Sequence, residues 1–185
     1  MVTEAELDNV DYGLVPTGSG WYVLNAQKAA WFDKKGRGFA AALECRSNFD
    51  QLGVSLYVLQ PGEPMAMYHW ETDQEDFLVV SGEALLIVES EERPLRRWDF
   101  VHCPPQTKHV IVGAGSGPCL VIAVGARARS SESDSLGFTV DEVAKRHRAS
   151  VVADTMDGGI AYASVPPRGP TAYRDGWLPA SLSGS

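Results

Sequence analysis

The sequence predicts an all-β fold, a sandwich or barrel, from two observations. Short apolar stretches recur through the middle of the chain, separated by Gly, Pro, Ser or charged residues: "GFAAALEC", "LGVSLYVLQ", "MAMYHWE", "DFLVVSG", "EALLIVES", "RRWDFVHC", "HVIVGAG" and "PCLVIAVGA". Strands spaced this closely belong to sandwiches and barrels. No helix long enough for a parallel crossover interrupts residues 39–126, so antiparallel pairing is expected.

Taken in order, residues 1–20 are polar, end in "PTGSG" and show no sustained periodicity, which predicts a loosely held arm. "WYVL" reads as a strand. Asn25 is placed to cap one turn of helix through "AQKAA" before "DKKGRG" breaks the chain. In "VVSGEALL" a hairpin is expected, with Ser81 and Gly82 at its turn because glycine reaches positive φ at little cost. After "ARARSSESDS", a polar linker, "TVDEVAKRHRAS" offers a capping box, Thr139 with Glu142, and puts Val140, Val143, Ala144 and His147 on one helical face. The tail is rich in Gly, Pro and Ser but holds Tyr162, Tyr173, Trp177 and Leu178, so it is expected to be irregular and anchored by its aromatics. The organisation predicted is an arm at 1–20, a barrel domain at 21–128, and a linker, short helix and tail at 129–185.

Composition narrows the function. The chain has 185 residues, 24 acids against 16 bases and a net charge of -8, which disfavours a phosphate track for nucleic acid or an anionic membrane as partner. No apolar run is long enough to span a bilayer, and "MVTEAELDNV" is acidic where a secretion signal is basic and then apolar, so a cytoplasmic protein is expected. Cys45, Cys103 and Cys119 are odd in number with no close pair, which suits reduced thiols; the latter two sit in apolar runs as small hydrophobes.

The stretch "MAMYHWETDQEDFLVVSG" carries the chemistry. On a regular strand Met65, Met67, His69 and Glu71 share one face, placing metal-ligand types among methionines, where an unpaired charge is costly. Glu75 follows, then Gly82. Further on, "WDFVHCPPQTKHVIV" supplies a strand, a rigid turn at Pro104 and Pro105, and His109 at the start of another strand. In "ETDQED", Asp73 and Asp76 read as a solvated loop. His102 reads as a hydrogen-bonded or barrel-lining histidine that, with Met67, could border a substrate pocket. His147 reads as a helix-end cation.

Gly62, His69, Glu75 and Gly82, then Asp99, Pro104 and His109, resemble the two motifs of the cupin superfamily over residues 50–126, with one extra residue before the first histidine. Trp98 and Gln106 stand where those motifs have glycine, and Glu71 replaces the second histidine of the first motif. The resemblance implies a cupin-type jelly-roll barrel with an N-terminal extension and a short C-terminal helix plus tail, commonly a homodimer. It also implies a divalent transition metal (Fe, Mn, Zn, Ni or Cu) at His69, Glu71, Glu75 and His109. If Glu71 stays off the metal, the remaining three form a two-histidine, one-carboxylate face with open positions, and Glu71 becomes a catalytic base. Two functions stay open: a metal-dependent oxygenase or isomerase/lyase acting on a carbonyl or enol compound, and a non-catalytic small-molecule binder.

Overall fold

The computed structural model describes residues 1–18, 20–44, 49–127 and 135–179. Cys45 and most of the polar linker lie outside the described residues. In chain order the strands are β1 (Leu7–Val10), β2 (Gly13–Pro16), β3 (Trp31–Asp33), β4 (Phe39–Ala41), β5 (Leu52–Leu59), β6 (His69–Glu71), β7 (Glu75–Ser81), β8 (Glu83–Val88), β9 (Glu91–Arg96), β10 (Phe100–Cys103), β11 (His109–Ala114), β12 (Cys119–Ala126), β13 (Leu136–Phe138) and β14 (Gly169–Thr171), with helices α1 (Glu142–Arg146) and α2 (Gly158–Ala161). Besides the β1–β2 pair there are two sheets, β10-β7-β12-β5-β4-β3-β14 and β13-β6-β11-β8-β9, and every pairing between strands is antiparallel. The all-β expectation holds.

The two sheets face one another across a core of Leu59, Met65, Phe77, Val79, Leu86, Val101, Ile111, Cys119 and Val121. Their outer faces are covered as well. Leu56, Val58 and Leu120 point out of the larger sheet onto Trp31 and Trp177, and Tyr68, Ile87, Val110 and Val112 point out of the smaller sheet toward Ala144 and Ala149. A strand buried on both sides has no polar face, which is why these segments read as continuous apolar runs.

Several expectations need correction. Ser81 and Gly82 do not turn a hairpin: β7 lies in the larger sheet and β8 in the smaller, so the pair carries the chain around a corner. Gly82 has φ 73°, and a Cβ there would lie 2.6 Å from the carbonyl oxygen of Pro118, so both conformation and space demand glycine. The hairpin is formed instead by β8 and β9, through Glu89 and Ser90 at φ 47° and 67°. Strand β9 was missed because "EERPLR" is charged and contains proline, as a sheet edge tolerates.

Residues 1–20 are not a loose arm but contain the β1–β2 hairpin, and "WYVL" forms only a bridge from Trp21 to Glu4, with Trp21 and Val23 exposed. Asn25 does cap a turn, its Oδ1 accepting from the Gln27 amide at 2.9 Å. "MAMYHWE" is extended only at His69–Glu71, because the Met65, Met67 and Tyr68 amides donate to Ile111, Tyr162 and Ala149 rather than to one ladder. At α1 the cap is Asp141, not Thr139: the Asp141 carboxylate accepts from the Ala144 amide at 2.6 Å, while the Thr139 amide donates to the Tyr68 carbonyl oxygen at 3.2 Å. Ala144 is buried, but Val140 is exposed. The tail is anchored by its aromatics, with Trp177 stacked on Phe39 at 4.2 Å, yet it also adds β14 to the larger sheet, while β13, ahead of α1, joins the smaller one. Among the described residues no helix is long and apolar enough to cross a membrane.

Gly137 pairs with Trp70 beside the site-bearing strand β6, and a Cβ there would lie 2.5 Å from the indole ring. Gly137→Ala is therefore expected to destabilise the fold by about 1–3 kcal/mol, lowering the midpoint of urea unfolding at an unchanged slope.

Candidate metal centre

Both sheets contribute to the site. His69 and Glu71 lie on β6 and His109 opens β11, and the register pairs His69 with His109 across the smaller sheet. Glu75 begins β7 in the facing sheet, opposite Cys103 and Gly125. The Nε2 atoms of His69 and His109 lie 3.4 Å and 3.1 Å from Oε2 of Glu75, and ligand atoms of the three residues all fall within 4.8 Å of one another. The imidazoles are 4.9 Å apart between centroids, and Phe77 packs against His109 at 5.3 Å.

Each imidazole is oriented by its own backbone. Nδ1 of His69 lies 2.7 Å from the Met67 carbonyl oxygen, and Nδ1 of His109 lies 3.0 Å from that of Thr107. Carbonyls only accept, so both Nδ1 atoms are assigned the proton and both Nε2 atoms present lone pairs inward. Nε2 of His109 and Oε2 of Glu75 are buried without a hydrogen-bond partner. Two facing acceptors at 3.1 Å need a cation or a proton between them. The donor set fits a divalent transition ion, since two neutral imidazoles and one carboxylate leave coordination positions open.

A proton competes for the same place. Burial pulls His109 down, but once protonated it would donate toward Cys103 and Glu75, and these contacts with the charge of Glu75 push it up to about 10. Burial raises Glu75, yet protonated imidazoles at His109 and His69 would donate to it and hold it down to about 2. Glu71 moves the other way, pushed up to about 7 by burial and then by the Glu75 charge. Its Oε1 lies 3.9 Å from Nε2 of His69, and it stands outside the group of three.

Residues 55–125 match the family model described as a cupin domain. The chain carries a cupin domain. No curated protein is recognisably similar to it. Among solved structures it is similar to one from Acidithiobacillus ferrooxidans named as a proposed sugar phosphate isomerase, at 26% identity and a TM-score of 0.42, covering 47% of this chain and 54% of that one. It thus spans about half of that protein. A sugar phosphate isomerase of the cupin superfamily from Silicibacter pomeroyi matches at 23% identity and a TM-score of 0.47, covering 56% of this chain and 71% of that one. A cupin with a double-stranded β-helix fold from Methanocaldococcus jannaschii matches at 22% identity and a TM-score of 0.40, covering 43% and 73%.

Within this cupin, Trp98 and Gln106 adopt φ 75° and 73°, so the left-handed backbone is kept at both positions where the motifs have glycine. The candidate metal triad opens into a cavity of about 370 Å³, walled by Met65, Tyr57, Phe77, Tyr162 and Lys34 among others. Met67 and His102, expected to border this pocket, do not line it. With β6 so short, Met67 turns away to pack on Phe138 and Val151, and His102 sits on the exposed side of β10, 2.6 Å from Asp76. Asp76 is thereby paired, and Asp73 is buried rather than solvated. His147 ends α1 as expected, paired with Glu92 at 2.9 Å.

Lys34, Tyr57 and Tyr162 were not anticipated. Strand parity could have found Tyr57, which shares a face with the core residue Leu59. No local signal marked Lys34 in a chain break or Tyr162 in an irregular tail. Lys34 donates to the Met65 carbonyl oxygen at 2.7 Å and lies over the Tyr57 ring at 4.5 Å. Burial, with Arg37 and Arg168 nearby, lowers it to about 8. Burial likewise raises both phenols, leaving them as proton donors at neutral pH.

Proposed function

We propose that this cupin holds a divalent transition metal through His69, Glu75 and His109 and catalyses proton transfer on a small carbonyl or enol compound, as an isomerase or lyase. The observation that carries the reading is the position of Glu71. It lies beside the three converging ligands without joining them; burial raises it to about 7 in the metal-free protein, and a bound cation would lower it from there, leaving an unligated carboxylate base beside the metal-bound substrate. When bound, the metal supplies Lewis acidity, polarising a substrate carbonyl. Glu71 then removes a proton from the carbon next to that carbonyl and returns it at another position. Lys34, Tyr57 and Tyr162 offer donors to substrate oxygens, and Met65 and Phe77 exclude water from the apolar part of the cavity.

The test is deuterium exchange. Metal-loaded protein is incubated in D₂O with a panel of small aldehydes, ketones and hydroxy-ketones, and carbon-bound deuterium is read by NMR. Glu71→Gln is expected to keep its metal and lose at least about 100-fold of the exchange rate. Loss of metal along with activity would make Glu71 a ligand. Ligand-induced thermal stabilisation without exchange in any compound would leave a non-catalytic binder.

A further inference from the structure

We propose a second binding site, for a phosphate-bearing small molecule, in the cleft between the β3–β4 turn and the end of α1. The protein carries a net charge of -8, yet this cleft of about 380 Å³ is lined by Lys35, Arg37, Lys145 and Arg148, together with Gly36 and Ser164, and by no Asp or Glu. It shares no lining residue with the metal cavity.

Arg37 carries the argument. Its side chain reaches the carbonyl oxygens of Ala66 at 2.9 Å and Arg148 at 3.2 Å and the sulfur of Met67 at 3.1 Å, and the residue is only 6% exposed. Among the described residues no carboxylate lies within 4.0 Å of it, and its Nε is buried without a partner. Carbonyls satisfy N–H groups but do not cancel a full charge, and Arg148 beside it adds a second positive charge. A buried cation without a counter-ion is costly, and an anion in the cleft would neutralise it.

The other cations are only lightly engaged. Lys35 pairs with Asp33 at 2.9 Å and Lys145 with Glu142 at 3.4 Å, both near the surface, and Arg148 donates to the Gly62 carbonyl oxygen at 3.0 Å. Lys35 and Arg148 hold left-handed backbone at φ 54° and 58°, a conformation that costs energy for residues with a Cβ. Two guanidinium groups, two ammonium groups and a hydroxyl offer more donors than one carboxylate accepts, and suit the three outer oxygens of a phosphate.

The probe is inorganic pyrophosphate, titrated calorimetrically at constant ionic strength into the full chain, into His109→Ala and into Lys145→Glu. One saturable site per chain is expected, retained in His109→Ala and weakened about tenfold in Lys145→Glu, whose native far-UV spectrum confirms folding. Lys35→Glu repeats the charge reversal on a separate element. No saturable binding to the wild type, wild-type affinity in both charge reversals, or loss of binding in His109→Ala would overturn the proposal, the last by assigning the anion to the metal.

Discussion

Alanine in place of His109 is expected to leave the protein without metal, where the wild type carries about one equivalent of a transition ion by elemental mass spectrometry. His109 is 2% exposed, supplies one of only two imidazoles, and faces Glu75 at 3.1 Å across an otherwise unsatisfied contact. Removing it leaves one imidazole and one carboxylate, and affinity should fall by well over about 100-fold, since loss of even an orienting partner costs about 10–100-fold. The purified variant should also lose the rise in melting temperature that metal addition gives the wild type. Because alanine leaves a void against Phe77, His109→Asn provides a variant closer in volume with the same expected loss. Equal metal content in both variants and the wild type would remove His109 from the site.

Metal affinity is also expected to rise steeply with pH, by about tenfold per unit through the neutral range, because each ion must displace the His109 proton. In the metal-free protein His109 is raised to about 10 from an ordinary 6.5, so the stability this proton confers is complete below about 6.5 and is lost as pH climbs through 10. Glu75 is lowered to about 2 from 4.5, so its contribution is complete above 4.5 and is lost as pH falls through 2. Glu71 is raised to about 7, so the metal-free fold should weaken as pH rises from 4.5 through 7, where this buried carboxyl ionises. Calorimetric metal titration in buffers of different ionisation enthalpy should show release of about one proton per ion near neutrality. An affinity independent of pH between about 6 and 9 would contradict the His109–Glu75 proton.

The legible parts of this chain were those governed by local pattern. Alternating apolar segments without intervening helices announced antiparallel sheets, and the resemblance to the two cupin motifs pointed to His69, Glu75 and His109, which the fold brings within 4.8 Å of one another. Turn geometry was legible only in part. Gly82 correctly marked a left-handed residue, but whether the chain doubles back or rounds a corner there depends on which sheet β8 joins. The β8–β9 turn escaped because Glu89 and Ser90 adopt positive φ without the usual glycine. Likewise the Thr139–Glu142 pattern pointed to a cap at Thr139, whereas the helix begins two residues later and Asp141 caps it.

The sequence alone determined which residue types are available for chemistry: two histidines and two glutamates that its resemblance to the cupin motifs singles out. Tertiary structure decided their roles. Glu75 reaches both histidines because the facing sheet brings it across, while Glu71, on the same strand as His69, lies 3.9 Å from the His69 Nε2, outside the converging three, and is left as a largely buried acid. It also decided what surrounds them, excluding Met67 and His102 and admitting Lys34, Tyr57 and Tyr162 from distant segments. The physical reason is that strand periodicity and turn preference act over neighbouring residues, whereas a cavity wall and the field inside it are set by segments that meet only after the sheets have packed.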